Sequence, residues 1–502
     1  MAAETLRDVI RHGAETYGEQ TAFRYKVKKE IIDKSYNEVN LDSMAVSRAV
    51  EALGMKGKHI AVIGTTSYQW ITAYFGIVNS GSVAVPIDAQ LPAEAVCELL
   101  NRADVEMLVY DELRSDVAGV VRGKCPGIRH VVSMQAPDTV GDVLSLSRLI
   151  AENAGTYETE LAGGQLCTIL FTSGTTGKSK GVMLSHRNLT DNAVCLDMKI
   201  PAGTVSMTLL PINHVYCLTM DIIKGLYIGM IICINDSIMH VQRNMKLFKP
   251  EIVLLVPLVI ESIYGKLKDA GSLIPKKMVA KAAFGGNLRI ICSGGAYLDP
   301  AYVDRFKEYG ITILQGYGMT ECSPVISTNL EWENKKGSVG KLLPNCEAKV
   351  VDEEIWVRGS SVMQGYYKMP EQTAETLEDG WLKTGDLGYV DEDGFVYITG
   401  RRKNLIILAN GENVSPEELE NRLSEAPVIQ EILVRESEGV IEAEIFPDAE
   451  YVEKKGVKDV RAALQELIDD WNKHAPAYKK IYRLKVRETE FPKTPSKKIK
   501  RY

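Results

Sequence analysis

The stretch Phe171-Thr-Ser-Gly-Thr-Thr-Gly-Lys-Ser-Lys-Gly181 decides how this chain is read. It is a loop rich in glycine and hydroxyl groups that carries two lysines, a composition suited to a polyphosphate. Gly174, Gly177 and Gly181 let backbone N–H groups approach a ligand closely. Thr172, Ser173, Thr175 and Thr176 offer hydroxyl donors, and Lys178 and Lys180 supply positive charge. Apolar residues Leu166 to Phe171 precede the loop and Val182 to Leu184 follow it, so it joins two strands. Ser185 then reads as the N-cap of a helix running through Leu189.

A Walker A loop requires Gly-x4-Gly-Lys-Ser/Thr, and Thr172 stands where its first glycine belongs. A Walker A loop also opens into a helix, whereas a strand follows here. The uninterrupted pattern Thr-Ser-Gly-Thr-Thr-Gly-x-x-Lys-Gly resembles instead the phosphate loop of the adenylate-forming superfamily, which includes acyl-CoA synthetases, adenylation domains and luciferases.

Composition sets the outer limits. The 502 residues suffice for three or four folding units. A net charge of −7 argues against a nucleic-acid binder working by bulk charge. Nine scattered cysteines without zinc-type pairing fit reduced thiols. Met1 to Tyr17 mixes acids and bases at helical spacing, so no signal peptide is read there. The apolar runs Ile222 to Ile234 and Ile252 to Ile260, broken by Lys224 and Pro257, are too short to span a bilayer. A cytoplasmic enzyme is expected.

Strand-like and helical runs alternate: His59 to Gly64, a helix near Tyr68 to Ser80, Ser82 to Pro86, then Glu251 to Pro257 and Leu288 to Cys292. That rhythm predicts wound α/β layers. From about Gly337 the texture turns to short strands and tight turns, as at Val351 to Ile355 and Asp391 to Gly394, which fits a small β-barrel-like unit. Gly400-Arg-Arg-Lys403 reads as a boundary. Beyond it lie a strand at Leu405 to Leu408, a turn at Asn410-Gly411 and a helix from Ser415, with Pro416 at its first position and Glu417 and Glu418 at the positive dipole end. The expected organisation is a large domain over 1–400, a hinge at 401–403 and a small α/β cap over 404–502. Leu41-Asp42-Ser43-Met44 mimics a phosphopantetheine attachment site, but it falls within a helix and is read as a solvent-facing Asp42-Ser43 pair.

Further elements carry the resemblance over essentially the whole chain. Gln315-Gly-Tyr-Gly-Met-Thr-Glu321 departs from a dinucleotide fingerprint, because Glu321 replaces the third glycine. In the adenylate-forming reading Tyr317 stacks on adenine, Thr320 bonds the α-phosphate and Glu321 holds Mg²⁺, as a hard carboxylate oxygen can. Pro211-Ile-Asn-His214 is similar to the superfamily's Pro-x-x-His element, which implies a gate beside the acyl group; a lone histidine in an apolar stretch is otherwise a packed core residue. Ser293-Gly-Gly-Ala296 reads either as an ordinary strand-to-helix turn or, with Gly295 and Ala296, as backbone lying against adenine or carboxylate. Asp386 in Trp381-Leu-Lys-Thr-Gly-Asp386 stands where the resemblance implies a ribose ligand, and a carboxylate can accept both ribose hydroxyls. Arg401 is implied as a second ribose or phosphate contact and Lys403 as the hinge. Pro492-Lys-Thr-Pro-Ser-Lys-Lys498 resembles the terminal catalytic element, which makes Lys498 the catalytic lysine, with Lys497 replacing the usual glycine. Cys322 has no histidine beside it in sequence and reads as a small packed residue.

The activity so implied is ATP-dependent and Mg²⁺-dependent activation of a carboxylate as acyl-AMP, followed by transfer to coenzyme A. Amino-acid-activating relatives usually place an aspartate just after the His region. Here Val215 to Met220 offers none, and Asp221 comes late, on a helix face. Leu209 to Tyr216 resembles bacterial fatty-acyl-CoA synthetases, so a fatty or similarly apolar carboxylate is expected. The alternatives are an adenylation enzyme loading a separate carrier protein, a nucleotide-binding regulator without chemistry, and a luciferase-type oxygenase. No nucleic acid and no integral membrane segment is expected, and a homodimer is compatible with the resemblance.

Overall fold

The computed structural model describes residues 3–172, 179–269, 274–408, 413–493 and 499–501. They divide into two compact units, one of residues 1–348 and 357–382 and the other of 349–356 and 383–502.

The first unit is built on two large sheets. In one, the strands His59–Ile63, Val83–Ile87 and Val105–Tyr110 run parallel, and Leu166–Thr172 lies beside Val83–Ile87. Leu166–Thr172 also pairs antiparallel with the strand Lys180–Ser185, with Thr172 opposite Lys180. The two strands expected on either side of the phosphate loop are therefore present, while residues 173–178 lie outside the described residues. Ser185 caps the following helix, His186–Val194, in a reciprocal box: its hydroxyl accepts from the Asn188 N–H and the Asn188 side chain accepts from the Ser185 N–H.

The second sheet contains the parallel strands Val205–Thr208, Ile252–Leu255, Ile290–Ser293 and Thr312–Gly318. Every residue of Ile252–Leu255 is buried, as expected of a strand covered on both faces, where an uninterrupted apolar run replaces alternation. Helices pack against this sheet through Phe248, Ile260, Phe284 and Phe306.

The helices Tyr36–Ala52 and Tyr68–Asn79 pack closely, Ser47 Oγ donating 2.8 Å to the Gly76 carbonyl. That packing corrects one sequence-based expectation. Ser43 does not face solvent; it is buried and its hydroxyl donates to the Asn40 carbonyl, while Asp42 accepts 2.7 Å from the Tyr68 hydroxyl. The apolar face of the helix is wider than its sequence pattern suggested.

The strands Trp381–Val390 and Val396–Arg401 form a hairpin that sets Asp386 opposite Arg401, both in the second unit. Beyond them the helix Pro416–Leu423 begins at Pro416, with Glu417 and Glu418 in its first turn, and packs on a three-stranded sheet of Ile429–Ser437, Val440–Pro447 and Ile481–Val486. The Ser415 hydroxyl donates 3.0 Å to the Thr399 carbonyl instead of capping this helix. The predicted turn at Asn410-Gly411 lies outside the described residues. No described helix is long and apolar enough to cross a membrane.

Candidate active site

Three of the sequence motifs leave the second sheet at the same end of its strands. His214 follows strand Val205–Thr208, Ser293-Gly-Gly-Ala296 ends strand Ile290–Ser293, and Tyr317 to Glu321 ends strand Thr312–Gly318. These strands are parallel, so the three loops emerge from their carboxyl ends, where open α/β sheets collect ligands. His214, Gly295 and Ala296 are exposed, and Tyr317 and Thr320 are half-buried.

The turn after Tyr317 is tightly constrained. The Pro324 carbonyl curls back to accept the Met319 N–H at 2.9 Å, so a Cβ at position 318 would meet that oxygen at 2.0 Å and only glycine fits. Cys322 is fully buried, as the reading of a packed residue required.

Glu321 is nearly buried, and the Tyr366 hydroxyl donates to its Oε1 at 2.8 Å. Burial, and then the Glu321 charge, push the Tyr366 hydroxyl well above the usual tyrosine range, so it remains a donor at all working pH. Lys180 Nζ lies 4.6 Å from the centre of the Tyr366 ring, within cation–π range. Tyr366 is held in turn by the phosphate-loop strand: Gly365 and Tyr366 pair with Met183 and Val182, and the Tyr367 N–H donates 2.8 Å to the Gly181 carbonyl. The outgoing arm of the phosphate loop and the Gln315 to Glu321 motif, which begin in different sheets, thus meet at one tyrosine.

Two asparagines brace this junction from the helix that follows the loop. Asn192, fully buried, donates to the carbonyls of Cys322 and Val325 and to Ser361 Oγ, and accepts from the Val325 N–H. Asn188, one turn earlier, donates to the carbonyls of Ser360 and Val362. Arg102 touches both arms of the loop, donating 2.6 Å to the Ser179 carbonyl on the outgoing side and sitting 5.7 Å from the Phe171 ring centre on the incoming side. Sequence reasoning missed Tyr366, Asn188, Asn192 and Arg102 as site residues. Only Asn188 carried a local signal, as the third residue after a capping serine.

In the second unit, Arg401 Nε lies 2.8 Å from Oδ1 of the buried Asp386. The strand pairing that sets these residues opposite each other accounts for the ion pair. Lys403 is exposed overall, and partial desolvation followed by the Arg401 charge hold its ammonium below the ordinary lysine value. Ser173, Gly174, Thr175, Thr176, Lys178 and the predicted catalytic Lys498 lie outside the described residues.

Residues 10–367 match the family model described as AMP-binding enzyme, and residues 403–502 match the AMP-binding enzyme C-terminal domain. The chain belongs to the AMP-binding enzyme family. This AMP-binding chain is 28% identical over 508 residues to the long-chain-fatty-acid–CoA ligase FadD15 of Mycobacterium bovis, covering 89% of this chain and 84% of that protein. It is also 28% identical over 545 residues to the long-chain-fatty-acid–CoA ligase of Bacillus subtilis, covering 99% and 93%. Among solved structures, the anthranilate CoA ligase AuaEII in complex with anthranoyl-AMP superposes with a TM-score of 0.85 at 23% identity, covering 99% and 95% of the two chains. The fold is the adenylate-forming one, with a large N-terminal and a small C-terminal domain.

Proposed function

We propose that this protein is an AMP-forming acid–thiol ligase that activates an aliphatic, fatty-type carboxylate and transfers the acyl group to coenzyme A. The observation that carries the reading is the Lys180–Tyr366–Glu321 junction, which joins a phosphate-binding loop to a fixed carboxylate. Support for the fatty substrate comes from the two bacterial long-chain-fatty-acid–CoA ligases among its relatives.

In the first half-reaction a carboxylate oxygen attacks the α-phosphorus of ATP. An acyl–O–P bond forms, the bond to the bridging oxygen breaks, and pyrophosphate leaves with the electron pair. Two anions must meet in line, so the protein has to offset their repulsion and hold the geometry. Lys180, with Thr172, Ser173, Thr175, Thr176 and Lys178 of the same loop, steadies the departing pyrophosphate. Thr320 bonds the α-phosphate and Lys498 bridges the carboxylate and α-phosphate oxygens as charge builds. Glu321, its carboxylate oriented by Tyr366, offers the hard oxygen that suits Mg²⁺, which when bound neutralises phosphate charge. Tyr317 stacks on adenine beside the Gly295–Ala296 backbone, while Asp386 and Arg401 take the ribose. His214 gates the acyl group. In the second half-reaction the thiolate of coenzyme A attacks the acyl carbon and AMP leaves. We assign the change between the two steps to a hinge at Lys403, between a domain of residues 1–400 and a cap of 404–502.

The test is pyrophosphate release with Mg·ATP and coenzyme A across acetate, octanoate, palmitate, benzoate and several amino acids. Turnover peaking with an aliphatic acid and yielding its acyl-CoA is the expected result. Pyrophosphate exchange without thioester formation would overturn the choice of acceptor and point to a carrier protein.

A further inference from the structure

Directly after His214 the chain forms a π-helical turn, Cys217–Ile223, and within it lies a carboxyl group that neither fold nor reaction has used. Asp221 is 2% exposed, and its Oδ2 has no hydrogen-bond partner among the described residues. It forms no ion pair there either. The nearby buried Lys224 is committed elsewhere, donating 2.9 and 2.8 Å to the carbonyls of Ala193 and Leu196 at the end of the His186–Val194 helix. A carboxyl group left buried without a partner is costly, so its retention calls for an explanation. Desolvation pushes the Asp221 carboxyl up to about 8, so near neutral pH it is largely protonated and can both donate and accept.

Its surroundings connect it to the site. Tyr216 and Cys292 both lie within electrostatic reach of Asp221. The Tyr216 ring lies over Gly294, where an added Cβ would meet it at 3.1 Å. Cys292 is the residue just before Ser293-Gly-Gly-Ala296. His214 is exposed, Tyr216 half-buried and Asp221 buried along one short stretch of chain, and Tyr216 sets that stretch beside the loop that ends strand Ile290–Ser293.

We propose that Asp221 is a specificity-determining residue that hydrogen-bonds a donor group, a hydroxyl or an amine, borne on the hydrocarbon part of the carboxylate substrate. This rests on the ligase reading, which sets the acyl group beside His214. The preferred substrate is then an aliphatic acid with one polar substituent, and the unsubstituted acid is the poorer substrate because it leaves the buried carboxyl unpaired. Sites built to bond a hydroxyl discriminate strongly against analogues that lack it.

The experiment compares kcat/KM for acyl-CoA formation from octanoate, its 3-, 5- and 8-hydroxy derivatives and 8-aminooctanoate. The wild-type protein should favour at least one substituted acid by about tenfold or more, a fold-change worth one buried hydrogen bond. Asp221→Leu should bring that ratio close to one, while Asp221→Asn should keep the preference for a hydroxyl and lose any preference for the amine. A preference confined to the hydroxy acids identifies a neutral donor, and one for the amino acid a cationic donor. Equal turnover of all acids by the wild type overturns the inference while leaving the ligase reading intact, as does an unchanged ratio in a folded Asp221→Leu protein. Absence of thioester from every acid overturns both. Because the wild-type ratio decides by itself, a variant that fails to fold does not spoil the test.

Discussion

Tyr366 is the side chain on which the candidate site turns. Its hydroxyl orients Glu321 and its ring faces Lys180, so one residue couples the proposed metal ligand to the phosphate loop. Tyr366→Phe keeps the ring and removes the hydrogen bond to a carboxylate, a loss of about 1.5–3 kcal/mol for such bonds. We expect kcat for pyrophosphate release to fall roughly tenfold or more and the Mg²⁺ requirement to rise, read from Mg²⁺ titrations of both proteins. An unchanged Mg²⁺ dependence would separate Tyr366 from metal binding. At Asp386 and Arg401 the direct ion pair makes the two residues one unit. Alanine at either position should raise the KM for ATP, and the double variant should cost less than the sum of the two, as contacting residues do. Strict additivity in the double-mutant cycle would mean that they act separately. For Lys498→Ala, the first half-reaction should slow by ~10²–10³, by analogy with other preorganised donors. Transfer from preformed acyl-AMP to coenzyme A should persist, which single-turnover assays of each half can measure.

At the scale of elements, the helix His186–Val194 acts as a strut. Its first residue packs near the N-terminus, its buried asparagines hold the turns at 322–325 and 360–362, and Lys224 caps its last carbonyls. A cation at a helix C-terminus is favourable, and here it also satisfies carbonyls that the helix leaves unpaired. Asn192→Leu strands several buried partners at once, and each is worth ~1–3 kcal/mol. A clear drop in Tm and a loss of adenylation together are the expected result; unaltered stability would deny the strut role. His186 adds a pH dependence. The Leu6 N–H donates to its Nδ1 at 3.3 Å, which makes that nitrogen an acceptor. Burial, followed by the Arg7 charge, lowers its pKa to about 4 from 6.5. On acidification the unfolded chain takes up the proton first, so this contribution is present above pH 6.5 and lost between about 6.5 and 4. The loss is on the order of 3 kcal/mol. Chemical denaturation of wild type and His186→Gln across that window should show a shallower pH slope in the variant.

At the scale of the molecule, the proposed reaction divides between two units of unequal size, with the phosphate loop, Tyr317 and Glu321 in the first and Asp386, Arg401 and Lys403 in the second. If Lys403 is the hinge, fixing its φ should obstruct the change between half-reactions. Lys403→Pro is expected to slow thioester formation by more than it slows pyrophosphate release. Equal slowing of both would argue that the conformational change pivots elsewhere.

The sequence by itself determined the local elements and the chemistry they carry. Leu166 to Phe171 and Val182 to Leu184 had to flank the loop as strands, Ser185 had to start a helix, and Pro416 with two glutamates marked another helix start, because each depends on propensities within a few residues. The alternation of Glu251 to Pro257 and Leu288 to Cys292 with helices implied wound layers, but not the parallel order of Val205–Thr208, Ile252–Leu255, Ile290–Ser293 and Thr312–Gly318 that gathers three motifs at the strands' carboxyl ends. Tertiary structure alone decided the rest. Tyr366 reaches Glu321 across 45 residues and Asn192 reaches Val325 across 133, and no local pattern encodes such pairings. It also decided which polar groups are buried: Ser43 within a helix interface and Asp221, its Oδ2 without a partner among the described residues, in the π-helical turn after His214. Burial belongs to what packs over a residue from elsewhere in the chain, and hydrogen-bond satisfaction belongs to what that packing brings within reach.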